Sequence, residues 1–147
     1  MKKKMYLAGA IGCYKDNPEK AMQWRKNICR ILYERGCESE WEAFDPTKYY
    51  NYWNPIHKTE KEIMRFEFNR IKQCDVVLVN LKDINISIGT SDELLFSYLN
   101  GIPTVGFCEE SDYIDLIHTW KIEQIDRIES GKDALQNALD YILNYYS

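Results

Sequence analysis

The chain has 147 residues, 45% hydrophobic and 29% charged, with a formal net charge of −4. These values suit one folded soluble domain, residues 1–147, and exclude a disordered chain. The acidic balance also argues against a nucleic-acid surface, which needs clustered Lys and Arg.

In chain order, the basic start MKKKM reads as a solvated end, and the apolar run behind it is too short for a membrane span. "MYLAGAI" (5–11), closed by Gly12, predicts a first strand. Pro18 and Gly36 punctuate a helix over 17–36, with Met22, Ile28, Ile31 and Leu32 as its apolar stripe. "CESEWEAF" (37–44) alternates and predicts a second, more exposed strand. The aromatic-rich "DPTKYYNYWNP" (45–55) is a loop, and 59–73 a charged amphipathic helix with Ile63, Phe66, Arg70 and Ile71 on one side. "DVVLVNL" (75–81) is the clearest strand, β-branched and suited to burial on both faces. A polar loop and a helix ending at Asn100-Gly101 lead to a fourth strand, "IPTVGFC" (102–108). A helix near 110–119, a fifth strand around "WKIEQI" (120–125) and a last helix over 132–146 complete the pattern. Leu135, Leu139, Ile142 and Leu143 form that last helix's apolar face.

Strands alternating with helices imply an α/β fold, a parallel sheet covered on both sides. For five strands in the order 2-1-3-4-5, ligands sit beyond the carboxyl ends of strands one and three, where the order reverses. The bordering loops are then "AGAIG" (8–12), which includes Gly9, and "SIGTSDE" (87–93).

That second loop carries the candidate chemistry. Thr90 and Glu93 have capping-box spacing, so Glu93 reads either as a helix-start device or as an ionised carboxylate beside a pocket, a nucleophile or base. Gly89 lets backbone approach a ligand closely, and Ser87, Thr90 and Ser91 offer hydroxyls. There is no P-loop signature, and "LAGAIG" is not a dinucleotide fingerprint, so no cofactor is expected. Five cysteines without a C-x-x-C pair, and two distant histidines, His57 and His118, point to a reducing, cytoplasmic setting and no metal site.

Four segments, in this order and spacing, resemble the nucleoside 2-deoxyribosyltransferase family: "MYLAGAIG", "WRKNICRILYERG" followed by "DP", "FEFNRIKQCDVVLVNL" and "SIGTSDELLFSYLNGIPTVGF". The resemblance implies a flavodoxin-like three-layer sandwich and homo-oligomers with sites near subunit interfaces. It also implies cleavage of the N-glycosidic bond of deoxynucleosides or their 5′-monophosphates. On the matching positions Glu93 would be the nucleophile on C1′ of deoxyribose, held by a hydrogen bond from Tyr6, in the manner of a retaining glycosidase. A second base then takes the sugar in a transferase, and water takes it in a hydrolase.

Glu67 falls where relatives carry an aspartate facing the sugar or base; an exposed helix charge is the other reading. Ser87, six positions before Glu93, is the residue type of relatives that hydrolyse monophosphates, whereas those acting on free nucleosides carry an acid there. A hydroxyl and helix-start N–H groups would accept a phosphate that a carboxylate repels. Yet no Arg or Lys lies in 8–14 or 83–92. Trp53 is the expected pocket wall among Trp24, Tyr49, Tyr50, Tyr52 and Trp53, residues that otherwise pack or cover a subunit contact. Against these enzyme readings stands a non-catalytic nucleotide-binding or sensor module, in which Glu93 is only a cap.

Overall fold

The computed structural model describes residues 1–49 and 56–147. Five parallel strands, β1 (Lys3–Ala8), β2 (Trp41–Phe44), β3 (Val76–Asn80), β4 (Thr104–Cys108) and β5 (Arg127–Ser130), form one sheet in the order β2-β1-β3-β4-β5. The helices are α1 (Glu19–Glu34), α2 (Glu60–Lys72), α3 (Ile88–Leu99), α4 (Thr119–Glu123) and α5 (Ala134–Tyr145). This is the α/β arrangement expected from the alternation of elements, with the strand order of the flavodoxin-like sandwich that the family resemblance implied.

Alternate residues of the central strands serve two cores, because successive side chains of a strand point to opposite faces. Met5, Leu7, Val76, Leu78, Val105 and Phe107 pack with α1 and α5, around Ile28, Leu32, Leu139 and Ile142. Tyr6, Ala8, Val77 and Val79 face the other way, towards Ile71 of α2 and Leu94 of α3. Val76 to Val79 have no exposed surface at all, which explains their unbroken apolar run.

Several expected boundaries shift. β1 takes in Lys3 and Lys4, paired with Trp41 and Glu42 of β2, instead of leaving them as a solvated end. It also stops at Ala8, freeing Gly9 to Ile11 from the sheet. The second strand begins only at Trp41, because Cys37–Ser39 forms a tight 3-10 turn after Gly36, whose φ of 68° closes α1. Residues 111–116 are likewise a 3-10 turn, not a helix of 110–119. "WKIEQI" is not the fifth strand: Thr119–Glu123 is helical, capped by His118, whose Nδ1 accepts from the Trp120 N–H at 3.1 Å. Ile122 and Ile125, three apart, both turn towards the sheet, a helical spacing. The true edge strand, Arg127–Ser130, is largely charged and only partly buried, so no apolar run marks it.

Candidate active site

At the carboxyl ends of β1 and β3, where the chain departs in opposite directions across the sheet, lies a cavity of about 290 Å³. One wall is the turn after β1, with Gly9, Ile11, Gly12 and Cys13, and the facing wall runs from Ile86 to Thr90. α2 supplies Glu60, Ile63 and Glu67, spaced to share one helical face, and Glu93 lies at the back.

The capping-box reading of Glu93 does not survive. α3 begins a turn earlier than that reading requires: Ser87 is its N-cap, its Oγ 3.4 Å from the Thr90 N–H and 2.7 Å from Thr90 Oγ1. Thr90 is thus the third helical residue, and Glu93 sits in the second turn, too deep to reach an N-terminal N–H. A capping box exists elsewhere, at the start of α2. Thr59 Oγ1 accepts from the Glu62 N–H at 3.2 Å, while Glu62 Oε2 reaches back to the Lys58 N–H at 3.1 Å. "TEKE" carried that signal in the sequence.

Glu93 is 5% exposed, and its Oε2 accepts a hydrogen bond from the Tyr6 hydroxyl. Tyr6 is fully buried and stacks on Phe44 at 5.6 Å, which in turn stacks on Tyr49 at 5.3 Å, so the phenol has little freedom to turn away. The Glu67 carboxyl shares a hydrogen bond with that of Glu93. Burial pushes the Glu93 carboxyl well above the ordinary carboxylate range, and the neighbouring Glu67 pushes it further, against the Tyr6 hydrogen bond. Glu67 is raised as well, by burial, and is partly relieved by its bond to Glu93 and by Arg25. Two carboxyls this close hold one proton between them and titrate as a pair. Burial and the Glu93 charge raise the Tyr6 phenol too, so it stays a donor.

Beneath the acids lies a residue the sequence reading passed over. Arg25 of α1 is fully buried and donates to the carbonyls of Leu7 (3.1 Å), Ala21 (2.5 Å) and Gly9 (3.0 Å). Asp45 stands 3.9 Å from its Nε, and its guanidinium lies 4.6 Å from the Trp24 ring centre. Burial lowers its pKa, opposed by Asp45 and then by Tyr6, Glu93 and Glu67, so its charge helps hold the acid pair. The signal was available: Arg25 shares a face with Ala21, Ile28 and Leu32. Its bond to the Gly9 carbonyl fixes the turn after β1. A Cβ on Gly9 would come within 2.9 Å of Trp24 Cζ2, so this position requires glycine.

Of the residues singled out in the sequence, Gly9, Glu67, Ser87, Gly89, Thr90 and Glu93 line the cavity, and Tyr6 supports it from below. Ser91 does not line it, and its carbonyl accepts from Lys121 Nζ at 3.1 Å. Trp24 is no stacking wall: it is buried edge-on against Phe107 at 5.3 Å. Trp53, Tyr50 and Tyr52 lie outside the described residues. No cluster of three metal-ligating side chains occurs among the described residues.

A buried carboxyl pair with a tyrosine donor, at this end of this sheet, prompts comparison with known proteins. The family model for nucleoside 2-deoxyribosyltransferase matches residues 5–137. The chain belongs to that family. Its members transfer sugars or cleave N-glycosidic bonds. No curated protein matches by sequence. Among solved structures, the 2-deoxyribosyltransferase of Bacillus psychrosaccharolyticus superposes with a TM-score of 0.67 at 18% identity, covering 91% of this chain and 90% of that one. The Leishmania mexicana 2-deoxyribosyltransferase gives 0.69 at 15% identity, over 99% of both chains. A CMP N-glycosidase of Clostridium botulinum gives 0.57 at 17% identity, over 99% of this chain and 100% of that one. At such identities the likeness concerns the fold.

Proposed function

We propose that this family member cleaves the N-glycosidic bond of a 2′-deoxynucleoside and passes the sugar to a second base, through a covalent deoxyribosyl ester on Glu93. The reading is carried by the buried Tyr6–Glu93–Glu67 constellation in the wall of a cavity. A protonated carboxyl is a poor nucleophile, so in the reactive form the shared proton sits on Glu67 and Glu93 is an anion held by the Tyr6 hydroxyl. That anion bonds to C1′ as the C1′–N bond breaks, and Glu67 gives the proton to the departing base. In the return step an incoming base loses its N–H proton to Glu67 and bonds to C1′, and Glu93 leaves as the carboxylate. No step needs a cofactor.

The cavity's charge favours a free nucleoside. Its described lining includes Glu60, Glu67 and Glu93 and no Lys or Arg, and the Ser87 hydroxyl is already engaged with Thr90. The second reading, hydrolysis of a 5′-monophosphate, has Ser87 and the N–H groups of the first turn of α3 in its favour. The chain is further read as one domain working in a reducing cytoplasm. It pairs with a second copy through the exposed Ile88, Leu95, Tyr98 and Leu99 of α3 beside Leu116 and Trp120.

The test is product analysis with each deoxynucleoside and each monophosphate, with and without a different free base. Base exchange is the expected result, and free sugar phosphate would favour the second reading. Absence of turnover on every substrate would leave the binding-module reading. Glu93→Gln should fold and be inactive; turnover at the wild-type level would remove Glu93 from the mechanism.

A further inference from the structure

Two side chains outside the cavity tie its walls together. Tyr14 ends the short turn Gly12–Tyr14 that continues the first wall, and its hydroxyl donates to the Asp83 carboxylate, which precedes the second wall. Asp83 has a φ of 60°, the one left-handed non-glycine residue among those described. A left-handed L-residue outside glycine persists when its surroundings hold it there, and such outliers gather at functional sites. The far side of the same loop is also fastened. Asn85 Nδ2 donates to the Leu116 carbonyl at 3.0 Å, the Asn85 N–H donates to the Tyr113 hydroxyl at 3.2 Å, and Lys82 pairs with Glu110. The loop after β3 is therefore strapped to the 111–116 turn on one side and to the β1 turn on the other. The Tyr14–Asp83 bond crosses between the two loops that form the cavity walls.

We propose that Tyr14 and Asp83 are positioning residues that set the separation of the cavity walls and so the fit of the nucleoside between them. Neither lines the cavity, so they act through Cys13 and Gly12 on one side and Ile86 to Thr90 on the other. The inference rests on the proposed function for the identity of the ligand. It concerns binding of the whole substrate more than the reacting atoms, so loss of the bond weakens ground state and transition state alike.

The experiment compares Tyr14→Phe, Asp83→Ala and Asp83→Asn with wild type, reading kcat and KM for a deoxynucleoside together with Tm. Tyr14→Phe and Asp83→Ala should each raise KM roughly five- to fifty-fold while kcat stays within about threefold. Asparagine tolerates the left-handed conformation and can accept from Tyr14, so Asp83→Asn should restore most of the loss in Asp83→Ala. A KM within about twofold of wild type in both disrupting variants would overturn the proposal, as would an Asp83→Asn variant as impaired as Asp83→Ala. The same variants on a Glu93→Gln background, titrated with deoxynucleoside by calorimetry, separate this idea from the catalytic one. Weakened binding there supports the clamp even if wild type shows no turnover. If the Glu93→Gln protein itself binds no deoxynucleoside, the clamp and the substrate assignment both fall.

Discussion

Replacing Tyr6 by phenylalanine removes one hydroxyl and leaves the ring stack on Phe44 in place. The lost bond favours the Glu93 anion over its protonated form by the difference between a charge-assisted and a neutral hydrogen bond, roughly 1–2 kcal/mol. One pKa unit corresponds to about 1.4 kcal/mol, so loss of the last proton from the carboxyl pair should move up by about one unit. In the proposed mechanism the active form holds one shared proton, and that last loss sets the alkaline limb of the kcat profile. The limb should therefore rise by about one pH unit in Tyr6→Phe. The same free energy disfavours the tautomer with Glu93 ionised and Glu67 protonated, so kcat at the optimum should fall roughly tenfold. Steady-state rates across pH, on wild type and variant purified alike, measure both effects. A limb that stays put or moves down, or an unchanged optimum, would refute the reasoning, because then the hydroxyl does not stabilise the anion.

Glu93→Gln should show the same electrostatics as stability. The Glu93 pKa is raised on folding, so its contribution is fully present below the unfolded value of about 4.3 and is lost as pH rises through the raised folded value. Thermal melts should show the variant gaining on wild type as pH increases through that window; a constant difference would contradict the assigned burial cost. Gly9→Ala should lower stability by about 1–3 kcal/mol, read by denaturant midpoint, because the new methyl would meet Trp24 Cζ2 at 2.9 Å. Gly89→Ala should do the opposite. Its Cβ would meet nothing within 4 Å, and alanine is the better helix former by about 1 kcal/mol. Its Tm should hold or rise while KM increases, since the methyl is added at a residue of the cavity wall; an unchanged KM would show that no ligand approaches there.

The elements of the parallel sheet were legible in the sequence because period and punctuation are local properties, whereas the strand order, and with it the position of the cavity, followed from the fold that the family resemblance implied. Val76 to Val79 announce a doubly buried strand, and Pro18 with Gly36 brackets a helix, wherever the rest of the chain goes. Burial then left its trace on residue choice, and order plus handedness allows few topologies. β5 failed this test for the same reason, since a charged edge strand carries no such trace. Glu93 could be picked out as the candidate acid, but its helical position was misjudged by a turn. Both Ser87 and Thr90 are able to cap, and only the packing of α3 against α2 and the sheet selects Ser87. The proton shared with Glu67, the stacked Tyr6 and the buried Arg25 under the β1 turn join residues from β1, α1, α2 and α3. No sequence period records such contacts. A carboxyl's charge depends on which groups surround it in space, and that was decided by the tertiary structure.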